Sequence, residues 1–233
     1  MKYQAILFDM DGTLVPMDND EFTRGYFGLL IKATAHFGYT KDNLIPAMWK
    51  GVEAMVRNDG TKPNSERFWA VFADIFGQDV YGQIPTFDAF YKGDFHKAKA
   101  FTQPTPLSKR AVELARENAE KVVVATNPLF PGVAIEARLS WGNLSPEQFD
   151  LVTDYDNSHY CKPNPKYYTE ICEKLGLDPQ KCLMVGNNTK EDIWAAQQIG
   201  MDTYLVTDCI IEEGETPETK KGTLAELCQY LEK

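Results

Sequence analysis

The chain has 233 residues and a formal net charge of −10, with 43% hydrophobic and 25% charged residues. That length buries a full core, as one large domain or as a core plus a smaller one, and the acidic balance disfavours non-specific binding to nucleic acid or anionic lipid. No apolar run approaches the ~20 residues that span a bilayer, the first run is broken by Asp9 and Asp11 and so lacks signal-peptide form, and five cysteines without CxxC spacing fit the reduced thiols of a cytoplasmic protein.

The first predicted element is "QAILF" over 4–8, a short apolar run with strand character. From about 18 to 95 the texture changes. "NDEFTRGYFGLLIKATAHFG", "DNLIPAMWKGVEAMVRN" and "SERFWAVFADIFG" read as amphipathic helices rich in aromatic residues, with "PTFDAFYKG" a fourth and Asn64 or Ser65 as the cap of the third. This stretch, 18–95, is expected to be a separate all-helical unit, and residues 1–17 with 96–233 the rest. The joints are expected near Pro16–Asp18 and near Gln103–Thr105.

Helical and strand periods then alternate. Helices are predicted over 106–119, 131–141, 165–175, 190–199 and 222–232. Strands are predicted over 121–125, 182–185 and 203–206, with "FDLVT" at 149–153 a weaker one. A charged surface loop is expected over 212–222. Strands alternating with helices give βαβ units and a parallel sheet, so the fold class is α/β with an inserted helical block. Ligands of such sheets sit at the carboxyl ends of the strands. Asp9, Asp11, Thr126 and Asn127 fall there.

"DMDGT" ends the first strand with two carboxylates that point to the same side. They repel unless a cation or a shared proton relieves them. The pair fits a nucleophile, Asp9, that attacks a phosphoryl group, and a general acid/base, Asp11, that protonates the leaving oxygen and then activates water. Gly12 permits the sharp turn. In "VVVATN", the Thr126 hydroxyl and the following Asn127 N–H are placed to hold a phosphate oxygen. In "CKPNP", Lys162 stands at a helix entry where its ammonium neutralises the phosphoryl group. "VGNNTKED" ends a strand in a polar turn that suits a metal, with Asp192 opening a helix.

Taken in order, these four motifs resemble the haloacid dehalogenase superfamily of phosphohydrolases over nearly the whole chain. The resemblance implies a Rossmann-like core with a helical cap inserted after the first motif, matching 18–95. It implies Asp9 as nucleophile, Asp11 as acid/base, and Thr126 and Lys162 as phosphate holders. It further implies a Mg²⁺ ion held by Asp9, the Asp11 backbone carbonyl and the fourth motif. The dehalogenating branch lacks the second acid, so Asp11 favours a phosphate ester. The fourth motif usually carries two acids. Here both candidate first positions are amides, Asn187 and Asn188, and four-residue spacing from Asp192 picks Asn188 as the metal ligand. Glu191 is the residue that could compensate for the missing charge, though as the residue before Asp192 it is expected to point elsewhere once the helix has begun.

The loop "RNDGTKPN" (57–64) is expected to choose the substrate through Arg57, Asn58, Lys62 and Asn64. The function implied is hydrolysis of a small phosphorylated metabolite. The alternatives are a phosphomutase resembling β-phosphoglucomutase and a regulatory protein on a weakened phosphatase scaffold. The oligomeric state is left open.

Overall fold

Period-two alternation puts Ile6 and Phe8 on one side of the first strand and Ala5 and Leu7 on the other, and all four are fully buried. Strands of this kind need cover on both faces. In the computed structural model, which describes residues 1–214 and 217–233, they receive it from helices.

The sheet has six parallel strands in the order β3-β2-β1-β4-β5-β6. They are β1 (Tyr3–Phe8), β2 (Ala119–Val124), β3 (Leu151–Val152), β4 (Cys182–Gly186), β5 (Asp202–Val206) and β6 (Lys220–Gly222). Helices α5 (Pro106–Asn118) and α9 (Leu224–Leu231) bury Val112, Leu114 and Leu227 with Ile6, Val122 and Leu183. On the opposite face α7 (Pro165–Leu175) and the short α8 (Ala195–Gln197) pack Tyr167, Tyr168 and Ala196 against Leu7, Val123 and Met184. Helix α6 (Gly132–Trp141) follows the turn after β2. This is the Rossmann-like parallel sheet expected from the alternating pattern.

β1 runs into a tight turn and then into α1 (Asn19–Thr34), capped by Asp18, whose carboxylate accepts from the Glu21 N–H at 2.9 Å. α2 (Lys41–Val56), α3 (Asn64–Phe76) and α4 (Ile84–Lys92) follow, and no strand interrupts them. Their core is aromatic: Phe68 stacks on Phe72 at 5.1 Å, and the hydroxyls of Tyr26 and Tyr91 meet at 2.8 Å. A 3₁₀ helix, Asp94–Phe101, belongs with them, since the Phe95 ring packs edge-on against Phe22 at 6.3 Å. The chain leaves and returns side by side. Met17 pairs antiparallel with Thr102, and the Gln103 N–H donates to the Pro16 carbonyl at 2.7 Å. The return crossing is therefore at Thr102–Gln103, and a boundary at 95 cuts off the 3₁₀ helix.

Three local expectations change. The third helix is not capped by Asn64 or Ser65: Pro63 occupies the cap position, and the Asn64 side chain is turned into the interior. The segment over 190–199 opens as a π-helix, Thr189–Trp194, before α8. The charged segment 212–222 ends in the edge strand β6; two of its residues, 215 and 216, lie outside the described ones. Among the described residues no helix is long and apolar enough to cross a membrane.

Candidate active site

Asp9 is the first residue past β1, and its N–H still donates to the Val185 carbonyl of β4 at 2.8 Å. The chain then folds back on itself over Met10–Val15, with the Val15 N–H on the Met10 carbonyl at 2.8 Å and Gly12 at φ +85°. Only glycine takes that conformation cheaply. A β-carbon there would also stand 2.2 Å from the Asn187 amide nitrogen, so Gly12 lets the first and fourth motifs meet.

The two acids of the first motif do not share a partner. The Lys162 ammonium donates to Asp9 Oδ1 at 2.8 Å and to Asp192 Oδ1 at 2.6 Å, and all three groups are buried. Asp11 instead takes the Arg138 guanidinium, from α6. Arg138 was not expected from the sequence. It is 1% exposed, lies 4.3 Å from the centre of the Phe130 ring, and holds one buried nitrogen, Nη2, without a partner. A buried arginine facing an anion is the signal that marks it.

The carbonyl of Thr126 is fixed by the hydroxyls of Thr153 and Tyr167, each at 2.8 Å. Thr126 and Asn127 thus stand beside Asp9 at the sheet edge, and both line the same cavity. Asn127 donates to the Glu191 carboxylate at 3.2 Å, while its own Oδ1 is buried without a partner.

The fourth motif departs from expectation. Asn188 caps the π-helix: its Oδ1 accepts from the N–H groups of Lys190 and Glu191, both at 2.9 Å, and its amide donates to Glu213 at 3.2 Å. That oxygen is committed to the backbone. Asn187 is the amide that faces Asp9, its Oδ1 accepting from the Thr13 hydroxyl at 3.3 Å while Thr13 also reaches Asp9 Oδ2 at 3.3 Å. Glu191 does not point away; the wider π-turn aims it into the cavity beside Asn127.

Four carboxylates, Asp9, Asp11, Glu191 and Asp192, share this edge with two cations, Lys162 and Arg138. Burial pushes Asp192 up to about 7 against the pull of Lys162, with the Asp9 charge adding to the rise. Burial likewise raises Asp11 and Glu191 above the ordinary carboxylate range, though Arg138 lowers the former and Lys162 the latter. Burial would lower Lys162, but Asp192 and Asp9 hold it well above the usual lysine value. Asp11 Oδ1 is buried with no partner. Excess negative charge, an orphaned carboxylate oxygen and an amide oxygen, that of Asn187, held by a single hydroxyl at 3.3 Å suit a hard, oxygen-seeking cation. Among the described residues no three His, Cys, Asp or Glu side chains form a metal cluster by themselves. A cation here needs amide and backbone oxygens as well.

Above this edge lies a cavity of about 420 Å³, floored by the motif residues and walled by α1 and α2. The loop 57–64 does not line it. Asn58 and Asn64 are buried against each other at 2.8 Å, Lys62 pairs with Glu66 at 3.0 Å, and Arg57 pairs with Glu53 at 2.8 Å. The Asn64 N–H donates to the Ser158 carbonyl at 2.9 Å. The loop fastens the helical block to the segment before Lys162 through Asn64, while Arg57 and Lys62 pair with acids of the flanking helices on the exposed surface.

Residues 3–200 match the family of haloacid dehalogenase-like hydrolases. The phosphoglycolate phosphatase of Aquifex aeolicus (strain VF5) is 28% identical over 205 residues, covering 87% of this chain and 84% of that one. The HAD phosphatase of Thermococcus onnurineus has the same fold at a TM-score of 0.63 and 21% identity, over 98% of this chain and 97% of that one. So does the 2-haloacid dehalogenase of Pseudomonas syringae pv. Tomato DC3000, at 0.68 and 16% identity over 99% and 98%. The chain belongs to the haloacid dehalogenase-like hydrolases.

Proposed function

We propose that this haloacid dehalogenase-like hydrolase is a Mg²⁺-dependent phosphatase that cleaves a small phosphate monoester through an aspartyl phosphate on Asp9. The observation that carries the reading is the separate pairing of the two acids: Asp9 with Lys162, Asp11 with Arg138. Asp9 attacks phosphorus, and the bond from phosphorus to the ester oxygen breaks. Asp11, whose affinity for a proton is raised by burial, gives a proton to the leaving oxygen. Asp11 then takes a proton from water as that water attacks the aspartyl phosphate, which releases phosphate and restores Asp9. A halide leaves without a proton, so an acid at position 11 favours an ester over a carbon–halogen bond.

Lys162 balances Asp9 and the phosphoryl oxygens; Thr126 and the Asn127 N–H orient them. A Mg²⁺ would be held by Asp9, the Asp11 carbonyl and Asn187 in place of Asn188, with Asp192 behind them. Once bound it neutralises the acidic edge so that an anion can approach. Residues 18–101 serve as a cap over the cavity.

The test is inorganic phosphate release from a panel of phosphate monoesters with Mg²⁺ and with chelator, in wild type and Asp9→Asn. Release that needs both the metal and Asp9 is expected. Isomerised sugar phosphate without free phosphate would convert the assignment to a mutase, and wild-type-like release by Asp9→Asn would end it.

A further inference from the structure

The phosphate end of the cavity is polar, but the end that receives the leaving group is not. Phe22 and Phe27 from α1, Met48, Trp49 and Val52 from α2, and Phe130 from the turn before α6 form its wall. Trp49 is 52% exposed at the mouth, with its ring edge-on to Phe27 at 5.9 Å. Among the described lining residues the one cation is Arg138, and it is spent on Asp11. The other charged lining residues on that side carry the wrong sign for a second anionic group, Asp20 at the start of α1, Glu213 and Glu191, and Asn19, Thr23 and Tyr26 add only neutral polar atoms.

From this cavity we infer that the substrate is a phosphate monoester with an uncharged, largely apolar leaving group, an aryl-methyl or alkyl chain rather than a carboxylate or a second phosphate. The inference rests on the phosphatase reading and narrows it. A carboxylate placed among these side chains finds no free cation and loses its water, which is costly. A methylene placed there leaves water and gains contact, worth about fourfold in affinity for each one buried.

The experiment compares kcat/KM with Mg²⁺ for ethyl, butyl, hexyl and benzyl phosphate against 2-phosphoglycolate. All are primary alkyl esters, so the chemistry of the breaking bond changes little along the series. The expected result is a rise of about fourfold per methylene until the cavity fills, with 2-phosphoglycolate ~10-fold or more below benzyl phosphate. Val52→Lys, which sets a cation in the wall, should lift 2-phosphoglycolate and depress hexyl phosphate. A flat alkyl series, or a preference for 2-phosphoglycolate, overturns the apolar assignment while leaving a phosphatase. Calorimetric binding of the same esters to Asp9→Asn with Mg²⁺ separates the two readings. If nothing is turned over but affinity climbs with chain length, the pocket assignment stands and the phosphatase reading falls; if affinity is also flat, both fall.

Discussion

Arg138 and Asp11 meet across 127 residues of sequence, and nothing local announces the pair. Under the proposed reaction their contact fixes the carboxyl that has to point at the leaving oxygen. Arg138→Met keeps much of the volume over Phe130 but leaves Asp11 loose, and it removes the larger of the two charges that pull Asp11 down, the other being Lys162. General acid–base work by a positioned side chain contributes about 10²–10⁴-fold. The variant should therefore lose ~10-fold to ~100-fold in kcat on an alkyl phosphate. It should lose far less on p-nitrophenyl phosphate, whose leaving group departs as an anion. Equal losses on the two substrates would show that Arg138 acts through stability alone. The two asparagines of the fourth motif separate as sharply. Asn187→Asp adds a charge beside Asp9, and a unit charge at ~4 Å is worth about 1 kcal/mol in water and about 4 at an intermediate dielectric. Half-maximal activity should then need ~5-fold less Mg²⁺ or better. The lost donation to the Cys209 carbonyl costs about 1–3 kcal/mol of stability. Asn188→Asp keeps a good helix cap and should move the Mg²⁺ requirement little. The opposite ranking in a Mg²⁺ titration of activity would return the metal to Asn188.

The loop between α2 and α3 shows how an element's role can differ from its composition. Its amides and charges resemble a recognition loop, yet every one has an internal partner, and Gly60, at φ +87°, lies where a β-carbon would meet the Tyr160 hydroxyl at 2.1 Å. Asn64→Ala leaves one of the two Asn58 amide hydrogens without its partner and should cost about 1–3 kcal/mol. A thermal melt should fall accordingly while KM changes less than ~2-fold, since the cavity wall is untouched. A raised KM with an unchanged melt would restore the loop as a selector. Apolar runs announced β1, β2, β4 and β5 because burial on both faces demands such runs. β6 was illegible: Lys220-Lys221-Gly222 is held as an edge by Tyr204 and its neighbours, with no apolar signature of its own. Asp9, Asp11, Thr126 and Lys162 were legible because each follows a strand or enters a helix at one sheet edge. Glu191 was not, because helical spacing of 3.6 residues turns it outward and the π-turn that brings it in leaves no mark in the spacing. The cavity wall was read as aromatic helix, but which rings face the core and which face the cavity depends on how α1 and α2 pack.

On the scale of the whole molecule, a net charge of −10 converges on a site whose own acids outnumber its bases. Folding brings Asp9, Asp11, Glu191 and Asp192 together with only Lys162 and Arg138 to offset them, so on the proposed reading part of the fold's free energy is tied to the metal. A ligand that binds only the folded chain adds about 2.7 kcal/mol at a hundred times its Kd, or ~5–10 °C in Tm for a chain of this size. Mg²⁺ should therefore raise the melting temperature by that order, in the absence of substrate. The pH dependence has a definite sign. Asp192 goes from an ordinary value of 3.8 to about 7 on folding, so the folded chain binds the proton more tightly. Its contribution is fully present below 3.8, and stability falls as pH rises from there through about 7, where the buried carboxylate ionises. On the proposed reading Mg²⁺ competes with that proton for the same acidic edge. The metal-induced rise in Tm should then be larger at about pH 8 than at about pH 5.5. Asp192→Asn, which removes the most strongly raised carboxyl, should show a rise that depends less on pH over that range, the remainder coming from Asp11 and Glu191. A differential scanning series on the two proteins at both pH values decides the matter. A Mg²⁺ effect on wild type that is absent, or equal at both values, would mean that the cation does not engage this edge and that Lys162 alone balances it.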